Sequence, residues 1–178
     1  MVTNLTSVFI ENREIYAEQV WHRFIEILTA PYHIPEMLWI AIPLLITIFL
    51  MEIYFAKYRE EELGWNTAYG NSIVLIFVAI DLIRHLFNNG LLDINVKALV
   101  IVLLIIDGAI LTLIDFYHLL SKEFAFGLSS KLPTNFLAYC AIILVYTNIP
   151  VDWVTLGGLF LLLLTLAIII KIIDLVEL

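Results

Sequence analysis

Five apolar runs, most of them long enough to cross a lipid bilayer, leave this chain of 178 residues few folds to choose from. A helix spans the hydrocarbon core with about 20 mostly apolar residues, within a range of roughly 17–25. The runs occupy residues 37–55, 71–87, 98–120, 133–149 and 155–174. The fourth is the weakest, because its apolar part, 136–149, is only 14 residues long before Pro150 ends it. It reaches a spanning length by starting near Pro133, which a first helical turn tolerates; the alternative is a re-entrant segment. Barrel strands alternate apolar and polar residues, whereas these runs are apolar all round. The expected fold class is therefore all-α, a polytopic membrane helix bundle of five transmembrane helices. Composition agrees: 62% of residues are hydrophobic and 15% charged, where soluble domains average about half and about a quarter. A single cysteine excludes a disulfide-stapled scaffold.

Residues 1–36 read as a separate N-terminal unit ahead of a membrane domain at 37–178. Within it, 8–28 has the pattern of an amphipathic surface helix. At 100° per residue, Tyr16, Val20, Trp21, Phe24, Ile27 and Leu28 share one face, and Glu11, Glu14, Glu18, His22 and Glu26 share the other. Acids this early and the lack of a basic leader argue against a signal peptide. Pro31 and Pro35 are expected to break the helix before the first span. The apolar face, Tyr16, Val20, Trp21 and Phe24, is a candidate for docking a partner. Carboxylates and imidazole at i+4 steps hold a divalent metal only when facing helices supply matching ligands. No such set is visible, so a solvated polar face is expected, with no metal and no cofactor.

The distribution of Lys and Arg sets the expected orientation. Lys57, Arg59, Lys122, Lys131 and Lys171 fall on the side reached by the end of the first span, against Arg13, Arg23 and Lys97, with Arg84 reaching the same way, on the other. The positive-inside rule then places the N-terminus outside and the C-terminus in the cytoplasm, in a cell membrane. The net charge of −8 offers no basic patch for nucleic acid.

An offset of 63 residues aligns the ends of the first and third runs. Glu52-x-Tyr54 matches Asp115-x-Tyr117, Arg59-Glu60 matches Lys122-Glu123, Leu63-Gly64 matches Phe126-Gly127, and Asn66-Thr67 matches Ser129-Ser130. Two helical hairpins, 37–87 and 98–149, related as a parallel repeat would produce this pattern. On that reading both odd helices run about two turns past the membrane and stop at left-handed glycines, Gly64 and Gly127. The bland alternative is that any two membrane hairpins share aromatic belts, glycine stops and polar caps.

Ionisable groups inside apolar runs cost at least about 2.5–3.5 kcal/mol each on insertion scales, and they are the strongest functional pointers here. Asp81, Arg84 and His85 stand at i, i+3 and i+4 on the second span, and Asp107 lies near the middle of the third. A short connection from Asn88 to Asn95 makes these spans antiparallel neighbours, with Gly108 and Ala109 allowing a close approach. Arg84 is then within reach of Asp81 or of Asp107. Either a buried ion network fixes helix register, or one carboxylate is left free to titrate, with His85 as a relay. A second set, Glu52, Asp115, His118 and Asp174, lies near the inner ends of the odd helices. It forms either a cation-attracting ring or headgroup-level residues with local partners; the latter is preferred, because water is within snorkelling reach.

No hydrolase, metalloprotease or phosphate-loop motif is present, so no enzyme is expected. Two functions lead, with an intramembrane enzyme acting on lipid carried as a third. One is a small channel or transporter, or a subunit of one, that moves protons or cations past Asp81, Arg84, His85 and Asp107. The other is a structural or assembly subunit whose buried charges fix helix contacts. Expected partners are the lipid bilayer and either further copies of the chain or another membrane protein.

Overall fold

The computed structural model describes the backbone of residues 2–58 and 64–175, and within those ranges the side chains from Glu14 onward except that of residue 174. Seven helices follow in order: α1 (Val2–His33), α2 (Leu38–Lys57), α3 (Trp65–Asn88), α4 (Val96–Tyr117), α5 (Lys122–Leu128), α6 (Lys131–Tyr146) and α7 (Trp153–Leu175). No strand forms among the described residues. Five segments are long and apolar enough to cross a membrane: Pro35–Lys57, Trp65–Asn88, Val96–Tyr117, Lys122–Tyr146 and Trp153–Ile173. The all-helical class and five membrane-length helices are thus as expected, and they support a membrane protein.

Each apolar run shows why its residues sort themselves. On α4, Ile101, Leu104, Gly108, Leu111 and Asp115 are buried, at steps of three and four, while Leu99, Val102, Leu103, Ile106, Ile110 and Leu113 are exposed. Such a stripe is what one helix face turned toward neighbours produces, and the apolar exposed face suits lipid. α3 lies at the centre of the assembly, packed along α4 and against α6; α6 also touches α2 and α4, and α7 touches α1 and α2. The expected antiparallel pairing of the second and third spans holds. Gly108 makes it possible, since a Cβ there would sit 3.0 Å from Leu75 Cβ and 3.1 Å from Ile76 Cγ1. By contrast α2 has no comparable packing on its sequence neighbour α3 among the described residues. The two expected hairpins therefore differ.

Three expectations need correction. α1 runs through Pro31 to His33 instead of breaking there. Ile27, Ala30 and Pro31 are all buried, and their burial outweighs the one backbone bond that an internal proline removes so near a helix end. The apolar face of α1 is likewise taken in part by the same chain, while Tyr16, Trp21 and Leu28 stay exposed. Val20 meets Gly157, Phe24 and Ile27 meet Gly158, and the Tyr16 hydroxyl donates to the Trp153 carbonyl at 2.9 Å. This face docks on α7 of the same chain, with Trp21 exposed beside Phe24. Finally, the glycine stops are absent. α2 ends at Lys57 and α4 at Tyr117. The left-handed residue closing α4 is His118 (φ 54°), whose ring stacks on Trp65 at 4.0 Å. Gly64 is an extended N-cap of α3, and Gly127 lies within α5. The part of the repeat pattern at Arg59, Glu60 and Leu63 lies outside the described residues.

Candidate functional site

The sequence places four ionisable groups on α3 and α4, and the structure divides them. Arg84 Nη2 donates to Asp81 Oδ1 within the same helix, and the Tyr146 hydroxyl donates to Asp81 Oδ2 at 3.3 Å from α6. The His85 ring stacks on Tyr146 with centroids 3.8 Å apart, and the Asn89 amide donates to the His85 carbonyl at 2.9 Å. Asp81, Arg84 and His85 therefore do assemble, with Tyr146 as a member the sequence reading missed. Arg84 remains open, its side chain 70% exposed against 21% for Asp81. The cluster lines one end of a cavity of about 670 Å³ between α2 and α3.

Asp107 does not join this cluster. It forms no ion pair among the described residues, and its buried Oδ2 has no hydrogen-bond partner in the protein. Two further buried oxygens share that condition, Thr112 Oγ1 and Asp115 Oδ1. All three belong to α4. Asp107 and Asp115 are eight positions apart, which along an α-helix is about 12 Å.

Asp115 has the most unusual setting. It is only 1% exposed, and Ser72 Oγ donates to its Oδ2 at 2.6 Å. Ser72 also lies 3.2 Å from Ser129 Oγ and 3.1 Å from the Ala68 carbonyl, while the Asn71 amide donates to the Ser129 carbonyl at 2.7 Å. Asn71, Ser72 and Ser129 are buried as deeply as Asp115. The start of α3, the end of α4 and the α5–α6 junction thus close around a polar knot that contains a carboxyl and, among the described residues, no cation paired with it. A second polar tie, Asn135 Nδ2 to Thr47 Oγ1 at 3.0 Å, joins α6 to α2 nearby in sequence.

These contacts revise the inner acidic set. Asp115 is turned into the protein rather than toward headgroups, because it continues the buried stripe that begins at Ile101. His118 points elsewhere, spent on its stack with Trp65. Glu52 is part-buried on α2, and the side chain of Asp174 lies outside the described residues. Among the described residues no three acids, histidines or cysteines converge on a common metal position. On α1, Glu18 and His22 pair at 3.8 Å on an exposed face, and Glu26 turns to Arg23 at 3.0 Å.

Arg23 is the cation that the sequence reading used only to count charge. Its side chain is 18% exposed and reaches the start of α7, donating to Thr155 Oγ1 at 2.6 Å and lying 4.0 Å from Asp152 Oδ1. Asp152 Oδ1 in turn accepts from the Thr155 backbone amide at 2.7 Å. That backbone hydrogen bond, helped by the Thr155 hydroxyl and the nearby Arg23 charge, holds Asp152 below the usual carboxylate range. No family model matches the sequence, and no curated protein or solved structure matches it either.

Proposed function

We propose that this protein is an integral membrane helix bundle that moves protons or small monovalent cations, with the path along the buried face of α4. The observation that carries the proposal is the gathering of every unpartnered buried side-chain oxygen among the described residues, Asp107 Oδ2, Thr112 Oγ1 and Asp115 Oδ1, on that one helix. A polar atom taken from water without a partner costs about 1–3 kcal/mol, and more when charged. Three such atoms on one helix are poor structural elements and good acceptors for a proton, a water or a cation. Ser72, which already donates to Asp115 Oδ2, adds a hydroxyl that can turn as the carboxyl changes state. The site moves, in this reading, from Asp81, Arg84 and His85 to Asp107, Thr112 and Asp115. The N-terminus is assigned to the outside face from the Lys and Arg distribution alone.

Reconstitution in proteoliposomes tests this directly. Proton flux, followed with an entrapped pH dye, and sodium or potassium flux are expected above those of empty vesicles. Asp115→Asn and Asp107→Asn should each bring them down to the empty-vesicle level while the protein stays folded, whereas Asp81→Asn should keep at least about half. Absence of flux in the unmodified protein sinks the proposal. A second reading, a structural subunit, is favoured by the Asp81–Arg84–Tyr146 tie between α3 and α6, which closes its own charges. Retained flux in Asp115→Asn would leave that reading in possession.

A further inference from the structure

The cavity where α2 stands off α3 divides sharply by chemistry along its length. Its wall follows α3 from Asn88 down to Val74, a rise of about 21 Å. From the middle of that wall, at Asp81, to its Asn88 end lie Arg84, His85 and Glu36; from the middle toward Val74 the walls are Pro43, Leu44, Phe77 and Val78. Trp39 and Phe77 at its margin are exposed, so the space opens to the side rather than being sealed. About 670 Å³ is ample for a headgroup with the first part of a chain. A polar end at the helix terminus and an apolar end toward the helix middle is the division of a membrane amphiphile lying along α3.

The charges narrow the headgroup. Two carboxylates, Glu36 and Asp81, face one guanidinium, Arg84, leaving one net negative charge with His85 neutral. Glu36 lines the cavity together with His85 and Tyr146, so its carboxylate belongs to the polar end. Arg84 gives Asp81 only Nη2, and its exposed side chain keeps further N–H donors in a fork suited to phosphate. Trp39 and Tyr146 add aromatic faces beside the surplus negative charge, the surroundings an ammonium prefers.

We propose that this groove binds a phospholipid with a zwitterionic amine headgroup. Its phosphate meets Arg84, its ammonium meets Glu36 and the Trp39 ring, and the upper part of one acyl chain lies on Leu44 and Val78. The surplus negative charge selects against an anionic headgroup that lacks an amine. Nothing in this assignment depends on the α4 path.

Delipidated protein in mild detergent, examined by native mass spectrometry and thermal melting, provides the test. Phosphatidylethanolamine, phosphatidylcholine and phosphatidylglycerol with identical acyl chains are the probes. One saturable adduct is expected with either amine lipid, with a melting point raised by several degrees at excess lipid. Phosphatidylglycerol should bind at least about tenfold more weakly. Glu36→Gln should remove most of that preference while leaving phosphatidylglycerol binding unchanged or improved, and Arg84→Gln should weaken all three lipids. Val74→Trp, which fills the chain half without touching a charge, should block every lipid and covers the case in which a charge variant misfolds. Asp115→Asn should leave lipid binding unchanged, which separates this proposal from the α4 reading. Equal retention of the three lipids, many unsaturable adducts, or indifference to Glu36→Gln in folded protein would each overturn it.

Discussion

Asp81 and Asp115 are both carboxylates in helices apolar enough to cross a membrane, and they are held in opposite ways. Asp81 has Arg84 on its own helix and the Tyr146 hydroxyl across from it, and it borders an open cavity. Asp115 has one serine hydroxyl, supplied by another helix, and is almost wholly enclosed. The ion pair of the first arrangement lies within α3, and only the Tyr146 hydroxyl is brought to it by the fold. The second exists only because α3 and α4 are held at a fixed distance. A charge that carries its own partner along the chain suits a binding surface; a carboxyl whose second oxygen has no partner suits a site that changes state.

The sharpest way to break this contrast is to alter the spacing of the two helices. At Gly108 they approach closely, and a leucine there would have to enter space held by Leu75 and Ile76. Gly108→Leu is expected to destabilise the protein by about 2–3 kcal/mol and to part Ser72 from Asp115. The Asp81–Arg84 pair, lying within α3, should survive. Thermal melting in detergent measures the first effect, and lipid binding in the groove, retained within about twofold, reports the second. A variant as stable as the parent would mean that the α3–α4 contact does not set the geometry of Asp115.

Removing one partner from each carboxylate gives the next, smaller effects. Ser72→Ala strips Asp115 of the one hydrogen-bond donor it has among the described residues and should cost about 1–2 kcal/mol. A double-mutant cycle with Asp115→Asn should show that most of this cost is coupling between the two side chains. Arg84→Gln should cost less than about 1 kcal/mol, because the guanidinium is largely exposed and the pair is local. If Arg84→Gln proves the more damaging substitution, the assignment of a structural pair to Asp81 and a functional carboxyl to Asp115 is the wrong way round.

Much of this was legible in the sequence, and the gaps have physical causes. Spans appear as apolar runs because a bilayer demands length and hydrophobicity from each helix separately, so the first, third and fifth emerged close to their observed limits. The second and fourth begin earlier, at Trp65 and Lys122, in stretches too polar to read as apolar. Asp81, Arg84 and His85 were readable as a unit because i, i+3 and i+4 spacing is a property of one helix. Tyr146 was missed because only α3–α6 packing brings it there. Asp115 was assigned to the headgroup level from its distance to the helix end. Continuing the steps 101, 104, 108 and 111 by one more turn would have shown it on the buried stripe. Ser72 and Ser129 carry no such signal, since serine is as common in turns as in polar knots. The face of α1 was read as apolar, and part of it, at Val20 and Phe24, is occupied by α7 of the same chain. What covers an apolar face depends on where the chain returns, and Gly157 and Gly158 reveal α7 as the neighbour only once both helices are placed.

Asp152 supplies a third kind of carboxylate and the mildest test, because it lies outside the membrane-length helices. Its partners are neither a same-helix cation nor an enclosed hydroxyl, but the first turn of α7, through the Thr155 amide, and Arg23 from α1. Its folded pKa lies below the usual carboxylate value, so its contribution to stability is fully present above the unfolded pKa of about 3.9 and disappears as pH falls through the lower folded value. Stability should therefore be insensitive to this group from neutral pH down to roughly pH 5 and should fall below about pH 4. Asp152→Asn keeps an acceptor for the Thr155 amide while removing the titrating charge. It should flatten the acid limb slightly and leave the neutral plateau close to that of the parent. Because Arg23 ties α1 to α7 through the same residues, the variant should also make α1 the first element to lose hydrogen-exchange protection as pH drops. Loss of protection around Asp115 before α1 would show instead that the enclosed carboxyl is the more acid-sensitive of the two.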